Sequence, residues 1–221
     1  VRNRLDMEGV PYKEATQAEL ADRLDVSRQA VNAIENADRQ LARILDAVRR
    51  AGIEGDTSII LASDHGFMNA GMMVRPGVLF RQAGMVTLKD GKIAEWKATM
   101  LNNSGHAYFY LNDPHDRSTA DALRKMFESK SKEAMSGIGR IYSHEEIVEF
   151  GGDPAAFMAV EASPGFQFGS GFAGDYSAPP MYKATHGYDP RRPELKASLI
   201  VAGPNVTHGT IKAARLIDIG P

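Results

Sequence analysis

Ser63-Asp64-His65-Gly66 sets a carboxylate beside an imidazole directly after the apolar run Ser58 to Ala62, which contains two adjacent isoleucines. Such a run is too short for a typical helix and suits a strand buried on both faces. Open α/β sheets hold their ligands in the crevice beyond the carboxyl ends of their strands. Neighbouring side chains on a strand point to opposite faces, so Asp64 and His65 reach one ion only where the chain turns, and Gly66 permits that turn. The pair reads as half of a metal site. A second stretch, Thr185-His186-Gly187-Tyr188-Asp189-Pro190, again places a histidine before a glycine, ahead of the apolar run Ala197 to Ala202 and Gly203-Pro204. The chain has no cysteine, which excludes a disulfide framework and thiolate metal sites. Ligands must therefore come from His, Asp and Glu, a set that suits Zn²⁺, Mn²⁺ or similar ions.

Ser-Asp-His-Gly followed far downstream by Thr-His-Gly-Tyr-Asp-Pro and Val-Ala-Gly-Pro resembles the alkaline phosphatase superfamily, nearest to its type I phosphodiesterase and nucleotide pyrophosphatase branch. The likeness runs from about Glu35 to Pro221. It implies an α/β, alkaline phosphatase-like sandwich with a mostly parallel sheet, here as a partial chain. It also implies phosphoryl ester cleavage at a site of two divalent metal ions, with zinc as the expected metal and a phosphate ester or nucleotide-like substrate. Matched residue by residue, Asp64 and His65 correspond to the pair that holds one ion, and His186 to a ligand of the other. The family also uses an aspartate near the start of the domain, a threonine or serine nucleophile and an Asp-x-x-x-His arrangement. No histidine precedes His65, and Val10 stands where that arrangement would need one after Asp6. The catalytic nucleophile is thus not identified here, and the expectation is a C-terminal portion that is inactive or nearly so by itself.

The elements that must deliver these residues follow from patterning. Leu41, Ile44, Leu45 and Val48 give Asp38 to Arg50 the single apolar stripe of a helix that Gly52 ends, and helix, loop, strand is half of a parallel α/β unit. Beyond Phe67 the pattern predicts a short helix over Pro76 to Gln82 and a hairpin of Met85 to Leu88 with Ile93 to Met100, turned at Lys89-Asp90-Gly91. It further predicts strands at His106 to Leu111, Gly139 to Tyr142, Phe157 to Ala162 and Phe166 to Phe168. Helices are expected over Ser118 to Ser129 and, opened by a capping box at Ser143-His144-Glu145-Glu146, up to Phe150. A Gly-, Ser- and Pro-rich loop from Gly169 to Pro180 precedes His186. Residues 37–221 are read as the hydrolase portion, with about 68–183 partly an inserted α+β subdomain over the site.

Residues 1–36 are read as a separate helical segment resembling a helix-turn-helix, with helices at Gln17 to Leu24 and Ser27 to Asn36, the second being the one that would enter the major groove. This is the rival reading, a DNA-binding regulator with a degenerate C-terminal domain. Five basic residues against seven acidic ones oppose it, since phosphate neutralisation asks for a positive face. The whole chain, 221 residues with a formal charge of −2, has an ordinary soluble globular composition, with no general attraction for nucleic acid and no apolar run of membrane-spanning length. Among the other histidines, His106 is read as a satisfied core or cleft residue, His115 and His144 as surface or capping residues, and His208 as a turn residue. Tyr182, Tyr188 and Phe172 are candidates to stack on a base or aryl leaving group.

Overall fold

The computed structural model describes residues 28–219, so the first expected helix, Gln17 to Leu24, lies outside the described residues. The chain forms two compact units, residues 28–61 with 200–213, and residues 62–199 with 214–219. The first holds α1 (Arg28–Ala51) and all but the boundary residues, Ala62 and Leu199, of a two-stranded sheet of β1 (Ile59–Ala62) and β12 (Leu199–Ala202). A break between two helices near Ala37 is not found: α1 is continuous over 24 residues. Alanine is the best helix former, and the Arg39 guanidinium bonds back to the Asn36 side chain at 2.7 Å across the expected joint. Gly52, with φ +69, ends the helix as expected.

Two burial expectations fail in this unit. Ile44 and Leu45 of the α1 stripe are exposed, as are Ile60 and Leu61 of β1 and Ile200 of β12. The patterning located the elements, but within this unit no layer of the described residues covers their apolar faces. No helix among the described residues is long and apolar enough to cross a membrane.

The second unit is built on β2 (Met68–Val74), β3 (Val86–Lys89), β4 (Lys92–Trp96), β5 (Ala98–Asn103), β6 (His106–Leu111), β7 (Ile138–Ser143), β8 (Met158–Ala162), β9 (Gly165–Phe168), β10 (Ser177–Ala178) and β11 (Ala184–Thr185). Its helices are α2 (Pro76–Gln82), α3 (Arg117–Lys130) and α4 (His144–Glu149). The strands pair as β5-β6-β8-β7, as the hairpin β3-β4, and as β2 with β9, β10 and β11. The class is mixed α/β as expected, but within this unit only β2 with β9 is parallel. The neighbours β3–β4 and β5–β6 are hairpins, which return the chain antiparallel, and the remaining antiparallel pairs join strands farther apart in sequence.

Local chemistry explains the boundaries. Asp90 and Gly91, at φ 53 and 75, supply the left-handed turn of the β3–β4 hairpin. Ser143 and Glu146 form the reciprocal capping box at α4, and Asp116 caps α3 through the Thr119 amide. The strand expected over Ile93 to Met100 divides at Lys97, whose amide turns aside to the Met85 carbonyl at 2.7 Å. β2 was not legible: Met68-Asn69-Ala70-Gly71-Met72-Met73-Val74 is poor in β-branched and aromatic residues, and its pairing with three other strands makes it a strand.

The core lies on one face of the four-stranded sheet. Phe109 of β6, Met158 and Val160 of β8, and Leu123 and Phe127 of α3 are fully buried with Phe80 of α2. The other face carries His106, Tyr108 and Tyr110 of β6 with Ala159 and Glu161 of β8, because successive side chains alternate. On that face Ala159 packs with Tyr142, Ile147 and Ala156. β8 is consequently buried along its whole length. Phe109 is the keystone of the first face, with ring centroids 4.9 Å from Phe80 and 4.5 Å from Phe127. Phe109→Ala is expected to cost about 3–5 kcal/mol, read from the urea midpoint of the chain.

Candidate functional site

Register brings the two distant motifs together. Antiparallel pairing sets Thr185 of β11 opposite Met68 of β2, and Ala184 opposite Asn69. His186 therefore leaves β11 where Phe67 and His65 enter β2. The imidazole rings of His65 and His186 stack with centroids 4.2 Å apart and planes 24° apart, and Phe67 packs edge-on against both, at 5.1 Å and 6.1 Å.

Each loop is held by its backbone. Ser63 donates its amide to the Ser198 carbonyl at 3.0 Å and accepts the Ser198 amide on its hydroxyl at 2.8 Å. The Gly66 amide donates to the Leu195 carbonyl at 3.0 Å. A Cβ at position 66 would lie 2.0 Å from the Glu194 carbonyl oxygen, so glycine is required there for close approach rather than only for the turn. On the other loop, the Gly105 amide donates to the His186 carbonyl at 2.8 Å and His106 Nδ1 donates to the Gly187 carbonyl at 2.5 Å. Gly187 has φ +89, and a Cβ there would sit 2.1 Å from the Asn103 carbonyl oxygen.

Asp64 lies open to solvent, 84% exposed, with Oδ1 accepting the His65 amide at 3.0 Å and Oδ2 3.5 Å from His65 Nε2. The other ring nitrogen, Nδ1, lies 2.9 Å from the Gly66 carbonyl. A carbonyl only accepts, so Nδ1 is the donor in that contact and Nε2 is the nitrogen left on the Asp64 side. Two ligands at bond lengths of about 2.0–2.1 Å and a tetrahedral angle stand about 3.4 Å apart, so this pair has the separation of one edge around a single ion. A backbone carbonyl on the second nitrogen is the usual partner of a metal-binding histidine. Lone pairs of stacked rings lie in separate layers, so His65 and His186 do not enclose one ion between them. Among the described residues no group of three or more His, Asp or Glu is gathered around one point.

Sequence reasoning missed the residues beneath the His186 loop. Glu161, only 3% exposed, accepts Arg192 Nε at 2.7 Å on Oε1 and Arg192 NH2 at 3.0 Å on Oε2, and its Oε1 also accepts the Asp189 amide at 2.8 Å. The signal was a lone carboxylate inside the apolar run Phe157 to Ala162. Asp189 in turn accepts Arg191 Nε at 2.9 Å and NH2 at 2.5 Å, and the Tyr142 hydroxyl at 3.4 Å. Burial and the adjacent negative charges of Glu161 and Asp189 push the Tyr142 phenol up to about 12. Burial also lowers the His106 pKa, against the bond to Gly187 and the charge of Glu161. His106 and Glu161 are register partners on one face, beneath a cavity lined by Tyr108, Tyr142, Phe150, Tyr188 and Pro190.

The remaining candidates separate. Tyr188 is buried, donates its hydroxyl to the Phe166 carbonyl and is among the residues lining that cavity. Phe172 packs on Phe80 at the edge of the core, and Tyr182 is exposed. His144 anchors α4 through the Ala156 carbonyl at 3.0 Å, whereas His208 sits on an exposed loop.

Bonds from Arg191, first of all, depress the Asp189 carboxyl from 3.8 to about 2. A depressed carboxylate contributes stability that is complete above its unfolded value and is lost as pH falls through the folded one. Unfolding midpoints measured in urea from pH 5 to 2 are expected to drop as Asp189 protonates, and less steeply in Asp189→Asn.

The family model described as type I phosphodiesterase / nucleotide pyrophosphatase matches residues 22–189, well over half the chain and including the second helix of the DNA-binding reading. Murine ectonucleotide pyrophosphatase/phosphodiesterase 5 is similar in structure, with a TM-score of 0.56 at 19% identity over 80% of this chain and 42% of its own. The human counterpart gives a TM-score of 0.52 at 15% identity over 78% of this chain and 41% of its own. An inactive threonine-to-alanine variant of the murine protein, solved with AMP, gives 0.52 at 20% identity over 77% of this chain and 40% of its own. At these identities the likeness is one of fold, and the chain spans about 42% of the length of the murine protein. By the extent of the family match, the chain belongs to the type I phosphodiesterase / nucleotide pyrophosphatase family.

Proposed function

We propose that this chain supplies part of a two-metal centre for cleavage of phosphate esters, nucleotide-like diesters being the favoured substrate class. Asp64 and His65 would hold one divalent ion and His186 the other; imidazole and carboxylate ligands without thiolate suit Zn²⁺, Mn²⁺ or similar ions, and zinc is the one the family resemblance implies. The supporting observation is the contact between His65 and His186 at 4.2 Å, from motifs more than a hundred residues apart. Neighbouring ions of a two-metal site lie about 4 Å apart, so imidazoles in adjacent layers suit neighbouring ions better than one shared ion. Ions held there would supply positive charge to the phosphoryl and leaving oxygens.

The chain's own residues have simpler tasks. The Gly66 carbonyl fixes the His65 tautomer and keeps the Nε2 lone pair available. Phe67 flanks both rings and restricts their rotation. The acceptor of the phosphoryl group, a hydroxyl nucleophile in the family's pattern, is matched by no motif in this sequence, so turnover by this chain alone is expected to be near background. That murine variant with AMP favours a nucleotide-like substrate.

Zinc titration of the chain tests this reading. Binding is expected to weaken by an order of magnitude or more in His65→Ala and in His186→Ala separately. Isotherms unchanged in both variants would remove the metal centre. Hydrolysis of bis(p-nitrophenyl) phosphate by the chain, abolished in His186→Ala, would instead show the site to be sufficient.

A further inference from the structure

We propose that Glu161 is a positioning residue for both halves of the candidate centre, holding the His186 loop and the Asp64–His65 loop at their mutual distance. It touches neither histidine. Alternation along β8 sends its side chain to the face away from the phenylalanine core, where its register partner is His106. There its carboxylate grips residues 189 and 192 together. Oε1 takes the Asp189 amide at 2.8 Å and Arg192 Nε at 2.7 Å, while Oε2 takes Arg192 NH2 at 3.0 Å. The two gripped residues are joined by their own turn, Arg192 donating its amide to the Asp189 carbonyl at 3.0 Å.

Bonds run from this grip in both directions. Upstream, Asp189 is three residues past His186, and the carbonyls of His186 and Gly187 are held by Gly105 and His106 at the start of β6. Downstream, the Arg192 carbonyl accepts the Leu195 amide at 3.1 Å, and the Leu195 carbonyl accepts the Gly66 amide at 3.0 Å. Gly66 is the residue after His65, and its own carbonyl fixes that ring. One carboxylate therefore ties the segment that carries His186 to the segment that carries His65.

The chemical environment supports a positioning role. Tyr142, Ile147 and Ala159 line this face, so a hydrocarbon side chain would fill the place of Glu161 without the desolvation cost of a buried charge. What a hydrocarbon cannot do is accept an amide and a guanidinium at once. The guanidinium fork sets the plane of the carboxylate, and that plane sets where Asp189 sits.

The effect on ring placement stands by itself, whereas the effect on metal affinity rests on the proposed function. The test uses the 221-residue chain without metal, and then with Zn²⁺ as the probe. Cross-ring nuclear Overhauser contacts between the His65 and His186 imidazole protons are expected in the parent chain and lost in Glu161→Ala, with contacts among Phe80, Phe109 and Phe127 retained. Glu161→Gln, which still accepts the Asp189 amide, is expected to restore part of the ring contact. Zinc affinity in Glu161→Ala is expected to fall about 10- to 100-fold, the range for partners that orient metal ligands. If Glu161→Ala does not fold, Arg192→Lys, which keeps the charge but not the fork, must show the same loss of ring contact. Ring contacts that persist in a folded Glu161→Ala or Arg192→Lys, or that are missing in the parent chain, overturn the proposal. Loss of ring contact in the variants of a parent chain that binds no zinc supports the positioning role and removes the metal reading instead.

Discussion

Met68 lies opposite Thr185, and this pairing fixes where the chemistry-bearing residues of the chain can meet. A two-residue strand contributes few ladder bonds, so β11 would not hold its register unaided. It is held because neighbouring segments are fastened at several points. The Ala70 amide reaches the Lys183 carbonyl at 2.8 Å, the Gln167 side chain donates to the Tyr182 carbonyl at 2.7 Å, and Gly105 secures His186. A slip by one residue would turn every side chain of the strand to the other face. His186 would then leave the partner it stacks on.

The second constraint is electrostatic. Glu161 is buried under a cavity whose other walls are largely aromatic, and its charge is tolerable because Arg192 and the Asp189 amide satisfy both oxygens. Asp189 meets Arg191 on the same loop, so two carboxylates and two guanidiniums pair off at one place in the fold. Pairs of this kind add little net stability against a hydrocarbon core, yet removing one member leaves a costly unpaired charge. The loop is therefore specified by what it would cost to move, and the glycines at 66 and 187 let it approach so closely.

Much of this was legible in the sequence, and the exceptions have physical causes. The helix Pro76–Gln82, the hairpin turn at Asp90-Gly91 and the capping box at Ser143 were readable because local residue chemistry alone decides them. Asp64, His65 and His186 were singled out by type and by neighbouring glycines; the structure stacks the two imidazoles and leaves Asp64 beside His65, with no group of three gathered around one point among the described residues. β2 was not legible, because its strand state comes from partners remote in sequence rather than from its own side chains. Glu161 was hidden for the opposite reason: the apolar run around it gave the strand correctly, while its half-buried partner, Arg192, sits 31 residues away. The exposed stripe of α1 marks a third limit, since periodicity tells which face is apolar and not whether anything covers it.

The bare isoleucines of β1 and β12 carry a practical consequence for anyone handling this polypeptide. A narrow two-stranded ribbon with greasy rungs on show and hydrogen-bonding groups along its rims is a template on which like ribbons stack. Purified material should thus grow turbid with concentration and warming well before the phenylalanine core melts, and lysine placed at Ile60 or Ile200 should keep it clear.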